Sequence, residues 1–286
     1  MYADHSRQVG HPSGPLDDPR SLTRRQPVPT PTAPAPPATT PRDPARTLAL
    51  LWGLHADRGA RGPQQSRTPD EVASAAVGLA DAEGALTGLS MRKVAAELGI
   101  GTMSLYTYVQ NKDDLVDLVV DRAYGELYPH GEAPGATWQD RLRSVARANW
   151  DLFARHPWLL DIDLARPVLG PGETRKYDVE LRAIDGIGLD DVAMDATVTL
   201  VVGQATTAAR RARAARLAHE ESGQTDDEWW AVNAPLLERI SKMSTFAVAG
   251  RVGATVGEAQ QSAYSAEAEL EFGIDRIVAG VQALVA

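Results

Sequence analysis

The chain has 286 residues, 43% hydrophobic and 23% charged, enough for one large domain or two modest ones and ordinary for a soluble globular protein. A net charge of −9 excludes a uniformly basic protein that coats nucleic acid, and zero cysteines exclude disulfide scaffolds and thiolate metal sites. No apolar run approaches the roughly 18 residues of a membrane span, and the N-terminus lacks the apolar stretch of a signal peptide. The expectation is a soluble, cytoplasmic protein with no membrane attachment.

Residues 1–45 hold 11 of the 19 prolines, with five Arg and four Asp and almost no large apolar side chains. Such a segment buries too little surface to offset its ordering entropy, so it reads as a disordered tail with polyproline II stretches. A ligand for a proline-recognising domain is the sharper alternative. Residues 46–67 read as a basic arm or linker: an apolar knot from Leu48 to Leu54 with Trp52, then Arg58, Arg61 and Arg67. Those arginines are either solvated or in contact with a DNA groove or phosphate.

From Thr68 onward the chain reads as successive helices. Thr68-Pro69-Asp70-Glu71 is a capping box with Pro at the first helical position. Val72, Ala75, Ala76 and Leu79 then repeat at helical spacing as far as Gly84. Ser90 caps a short helix with Met91, Val94, Ala95 and Leu98 inward, and Gly99 supplies the tight turn after it. Thr102 opens a helix of about two turns to Val109, and Asn111 caps a fourth with Asp113 and Asp114 in its first turn. Helix, glycine turn and short polar-tipped helix outline a helix-turn-helix, whose second helix enters the major groove of DNA.

The stretch from Gly88 through Leu115, GLSMRKVAAELGIGTMSLYTYVQNKDDL, resembles the DNA-binding domain of the tetracycline-repressor (TetR) family of transcriptional regulators. The likeness runs from about Thr68 to Tyr124. More weakly, residues 137–286 resemble the C-terminal domain of that type, through Arg155-His156-Pro157-Trp158 and Glu271-Phe272-Gly273-Ile274-Asp275-Arg276. The resemblance implies that Ser90 contacts a phosphate and that Arg92 reaches a guanine edge. It places Thr102, Met103 and Ser104 toward the major groove, Tyr106 and Lys112 on phosphates, and Tyr108 on backbone or base. Arg67 joins this set from the basic arm. Each has a structural alternative: Ser90 as a cap only, Arg92 as a solvated side chain, Tyr106 packed on the following helix.

Charge tests this reading. Residues 46–130 carry eight basic and eleven acidic side chains, but five of the acids, Asp113, Asp114, Asp117, Asp121 and Glu126, follow Lys112. The expectation is a weakly basic DNA face with an acidic rear, affinity resting on a few phosphate contacts and helix N-termini.

Residues 131–286 hold five of the six tryptophans. Gly131 to Gly135 reads as a hinge-like break, and a helix over 137–155 aligns Trp138, Leu142, Val145, Asn149 and Leu152 on one stripe. Asn149 is therefore a polar group in a buried row, needing a partner from the backbone or from a ligand. His156 and Trp158 flank a helix-stopping Pro and either face a cavity or staple the turn. A long helix from Asp190 to His219 and a final helix with Leu270, Ile274, Ile277, Val281 and Leu284 carry small-residue faces. The resemblance implies that helices near 190–219 and 267–285 form a four-helix homodimer interface. Arg210, Arg211, Arg213 and Arg216 look like a nucleic-acid patch, but their alternation with Ala far from the reading head favours an ion-paired face. Asn149, Trp150, Phe153, Trp158, Tyr177, Gln204, Trp229 and Trp230 are candidate ligand-binding residues, with core packing as the alternative for each.

The six histidines are scattered and no phosphate loop or nucleophile elbow is present, so no enzyme activity, metal or cofactor is expected. The expected fold is all-α: tail 1–45, arm 46–67, helix-turn-helix domain 68–127, ligand-binding and dimerisation domain 128–286. The expected function is a regulator that binds a double-stranded DNA operator and answers a small-molecule effector, a repressor first. An activator or ligand-independent regulator with the same head is the alternative.

Overall fold

The computed structural model describes residues 43–54, 67–162, 166–243, 246–260, 262 and 264–286. The proline-rich tail to residue 42 and the arginines Arg58 and Arg61 lie outside the described residues. All regular elements among the described residues are helices.

The first helix, α1 (Pro44–Leu51), falls where the sequence suggested the end of a tail and an apolar knot. Asp43 caps it by accepting from the amides of Ala45 and Arg46 at 3.2 and 3.4 Å, and Pro44 fits the first helical position. Eight residues do not sustain a helix in water. What holds this one is tertiary: Leu50 and Leu51 are buried in the core, and the Thr47 hydroxyl donates to the Asp114 carboxylate at 2.9 Å. The apolar knot is thus an extra helix docked on the head.

The head itself consists of α2 (Pro69–Glu83), α3 (Met91–Glu97), α4 (Thr102–Leu105) and α5 (Lys112–Tyr124). Its capping box is present as expected, Glu71 N–H donating to the Thr68 hydroxyl at 3.2 Å and Thr68 N–H to the Glu71 carboxylate at 2.6 Å. Val72, Ala76, Val94, Leu105, Val109, Leu115 and Val119 are sealed from solvent between these helices. One boundary differs: α4 ends at Leu105 rather than near Val109. Beyond Leu105 the chain continues in hydrogen-bonded turns, Thr107 N–H donating to the Ser104 carbonyl at 3.1 Å and Tyr108 N–H to the Leu105 carbonyl at 2.9 Å.

The body begins with α6 (Trp138–Arg155), a 3-10 turn over Pro157–Asp161 and α7 (Pro171–Arg182). The 32-residue α8 (Asp191–Ser222) is its spine, packed by α6 and by the terminal α11 (Ala266–Val285). Small side chains, Ala205, Ala208 and Ala209, lie on the buried stripe of α8 and permit close helix approach. The arginine cluster on α8 is engaged in ion pairs and backbone contacts: Arg211 with Glu269 at 3.1 Å, Arg213 with Asp161 at 2.7 Å, Arg216 with Glu220 at 2.6 Å, and Arg210 donating to the Leu160 carbonyl at 3.1 Å. Between α8 and α11, α9 (Asp226–Met243) and α10 (Ala247–Gln260) pack on each other, Trp230 lying against Gly257.

Replacing Leu51 with Ala should cost about 2–4 kcal/mol if α1 is part of the folded core. Urea unfolding measures this; an unchanged midpoint would show that α1 contributes nothing to stability.

Candidate nucleic-acid interface

Three helix starts present polar groups to solvent. Ser90 caps α3, its hydroxyl accepting from Lys93 N–H at 3.3 Å, and Arg92 is exposed in the first turn of that helix. Gly99 makes the turn with φ near +67°, a conformation costly for any residue with a Cβ. Gly101 enters α4 in extended conformation with no side-chain cap, leaving the helix start open. On α4, Leu105 is fully buried while Met103 is 80% exposed and Ser104 is also exposed; Thr102 is half-buried. Tyr106, at the end of α4, is 41% exposed, and Lys112 is exposed as the first residue of α5.

Two expected contacts have other duties. Tyr108 is only 8% exposed, its ring in the core and its hydroxyl accepting from Arg67 N–H at 3.2 Å. The Arg67 guanidinium donates to Glu71 at 3.3 Å and to the Leu98 carbonyl at 2.9 Å. Both residues tie the start of α2 to the helix-turn-helix rather than projecting freely.

The residues suggested for ligand binding do not converge on one cavity. Asn149 is fully buried; its Nδ2 donates to the Val145 carbonyl at 3.0 Å and to Glu180 at 2.7 Å, while Oδ1 has no hydrogen-bond partner. Phe153 and Trp158 are buried nearby in sequence, and Trp150 packs half-buried against the core. Tyr177 is exposed and donates to Asp195 at 2.7 Å. Gln204 donates to the Glu269 carbonyl at 2.9 Å and lies against Gly273. Trp229 lines a cleft of about 250 Å³ with Arg211 and Tyr264, and Trp230 packs in the α9–α10 hairpin. Core packing therefore accounts for most of these aromatic side chains.

A buried polar cluster forms around Asn149, built largely from residues the sequence did not single out. Glu180 on α7 receives Asn149 Nδ2, the Tyr128 hydroxyl at 3.0 Å and Lys176 Nζ at 2.8 Å. Burial, reinforced by the Glu180 charge, pushes the Tyr128 phenol far above its ordinary range, so it stays a donor. Lys176 also lies 5.4 Å from the centroid of the Tyr124 ring, whose phenol burial pushes up to about 12. Only Asn149 carried a sequence signal, a polar residue in an apolar stripe.

Head and body meet through acids of the head. Asp81 on α2 accepts the Trp158 indole N–H at 2.7 Å and faces His156 Nδ1 at 2.7 Å. Glu126, just after α5, faces His156 Nε2 at 3.0 Å. Asp121 on α5 accepts from Glu173 N–H at 2.9 Å, capping the α7 start, where Gly170 offers no side chain. Desolvation raises the Asp121 carboxyl above its ordinary value despite these amide donors. Gly172 is required here, because a Cβ would collide with the Asp121 carbonyl oxygen. Finally, the Trp52 indole donates to the Leu169 carbonyl at 2.9 Å, linking the end of α1 to the segment ahead of α7.

A helix-turn-helix head whose short second helix is exposed and open at its start, continuous with a helical body, defines a DNA-binding regulator. Residues 130–285 match the family described as tetracyclin repressor-like, C-terminal domain. The HTH-type transcriptional repressor DrrR1 of Streptomyces coeruleorubidus is 38% identical over 245 residues, spanning 85% of this chain and 87% of that protein. An HTH-type transcriptional regulator of Saccharopolyspora erythraea is 34% identical over 133 residues, 45% of this chain and 56% of that one. The crystal structure of the Streptomyces coelicolor TetR family protein ActR in complex with actinorhodin matches with a TM-score of 0.61 at 28% identity, over 77% of this chain and 98% of that one. The chain belongs to the TetR family of transcriptional regulators.

Replacing Glu180 with Ala strands Tyr128, Asn149 and Lys176 inside the body. It should cost about 3–5 kcal/mol in urea unfolding; a loss below 1 kcal/mol would show that the cluster is not load-carrying in the fold.

Proposed function

We propose that this protein is a cytoplasmic, homodimeric repressor that a small molecule releases from a near-palindromic operator. The observation that carries the proposal is the exposed set Arg92, Met103, Ser104, Tyr106 and Lys112 on the starts and short helix of a head jointed to the body by hydrogen bonds. In this reading Lys112, at a helix N-terminus, and Tyr106 hold phosphates, with Ser90 supporting them. Arg92, Thr102, Met103 and Ser104 face the major groove, Met103 offering apolar contact to a thymine methyl. Arg67 and Tyr108 serve by bracing the head. The net-acidic chain then binds through a few contacts presented twice.

The dimer is supported by apolar side chains left exposed on the body: Leu200 on α8, Phe272 and Leu284 on α11. A second copy covering α8 and α11 would bury them and place the two heads about one helical turn apart on DNA. The exposed apolar row of the α9–α10 hairpin, including Val232, Leu236 and Ile240, adds to that surface.

The effector reading rests on Asn149, whose buried Oδ1 accepts no bond within the protein. A small organic molecule donating a hydroxyl or amine to it would satisfy the group and part α6 from α7. ActR, solved with actinorhodin, shows a relative that holds such a molecule. By linkage, effector and operator would weaken each other's binding by one factor.

Tyr106→Ala and Lys112→Ala should each weaken binding to the DNA flanking the protein's own gene by roughly tenfold to a hundredfold, while dimerisation survives. Lys112→Ala should also lower the salt slope of binding by about one. Titration by fluorescence anisotropy at several salt concentrations checks both; retained affinity in the double variant would reject this reading head.

A further inference from the structure

The joint between head and body contains one buried ring whose two polar atoms both face acids. His156 closes α6 and is 5% exposed. Its Nδ1 lies 2.7 Å from the Asp81 carboxylate on α2, and its Nε2 lies 3.0 Å from the Glu126 carboxylate after α5. An ionised carboxylate only accepts, so each contact needs an N–H from the ring. A neutral imidazole has one N–H and one lone pair and holds Asp81 or Glu126, but not both. From these contacts we infer that His156 is a positioning residue that sets the angle of the DNA-reading head on the body, and that it does so only while the ring carries both protons.

The charges around the ring define what happens when a proton leaves. Asp81 keeps the Trp158 indole, which donates at 2.7 Å and lies 5.6 Å from the imidazole, centroid to centroid. Glu126 keeps Arg122 of α5 at 3.8 Å, an arginine that also meets Asp70 of α2 at 3.5 Å. On the body side, Arg155 precedes the ring and is exposed, and Arg213 of α8 is held by Asp161 and by the Pro157 carbonyl at 3.0 Å. Neither acid is orphaned by loss of the bridge, so the joint loosens without unfolding.

The sign follows. Loss of one ring proton leaves a lone pair facing a carboxylate and releases the head; reprotonation restores the bridge. The ligand-free orientation is the operator-binding one in a repressor, so operator affinity should fall as pH rises. The inference rests on that reading of the protein.

The test uses the full chain labelled with 5-fluorotryptophan, the Trp158 fluorine signal being assigned with Trp158→Phe. In the wild type the Trp158 signal should differ between pH 6 and pH 8, and affinity for the DNA flanking the protein's own gene should drop about tenfold over the same interval, the loss of one charge-assisted hydrogen bond. His156→Gln should bind weakly at both pH values, with a static Trp158 signal. Glu126→Gln tests the same idea without disturbing the ring: its amide donates to the deprotonated Nε2, so the bridge survives neutralisation and binding stays tight at pH 8. A Trp158 signal that does not move in the wild type overturns the inference, as does the same pH-dependent loss of affinity in all three proteins. A wild type that binds no DNA at either pH would reject the regulator reading, while the Trp158 titration still decides the bridge.

Discussion

The structure depends on acidic side chains of the head accepting donors from the body. Asp81 and Asp121 take the Trp158 indole and the Glu173 amide, while Asp114 takes the Thr47 hydroxyl of α1. Asp114 and Asp121 are buried, so without these donors each would carry an uncompensated desolvation cost, whereas Asp81 lies at the exposed edge of the joint. That constraint fixes where the head can sit. It also explains how a helix with so many acids belongs to a DNA-binding unit, since Asp114, Asp117 and Asp121 of α5 are buried, away from solvent. The acidic rear inferred from charge arithmetic is a docking face for α1 and α7.

The head and the body share a polar joint. On one side, α4 carries only four residues, with Leu105 anchored inside and its neighbours turned outward. On the other, Glu180 collects three donors at the α6–α7 seam beside the unpaired Oδ1 of Asn149. His156, at the end of α6, and Glu173, at the start of α7, both touch the head, so these two contacts tie the α6–α7 seam to the DNA-reading unit.

The head was legible because its signals are local. Thr68, Ser90 and Asn111 cap the helices they precede, and Gly99 takes the left-handed turn between α3 and α4. The helix α1 was hidden because it is short, begins at the edge of a proline-rich segment, and draws its stability from contacts with residues far along the chain. The short α4 was overestimated because the turns after Leu105 keep Tyr108 and Val109 buried much as a further helical turn would, through i→i−3 bonds rather than a continued α-helix. In the body, Asn149 stood out as a polar group in an apolar stripe, and the structure buries it. The aromatic candidates scattered because tryptophan and tyrosine fill gaps wherever helices meet, which composition does not distinguish from a pocket. His156 lies 75 residues from Asp81 and 30 from Glu126, a distance that no local pattern bridges.

The central claim is that two such heads, carried on one dimer, read DNA with dyad symmetry. Hydroxyl-radical footprinting on the DNA flanking the protein's own gene tests it most directly. The account predicts two protected half-sites related by a dyad, their centres about one helical turn apart. A single protected half-site, or uniform protection without a dyad, would contradict it.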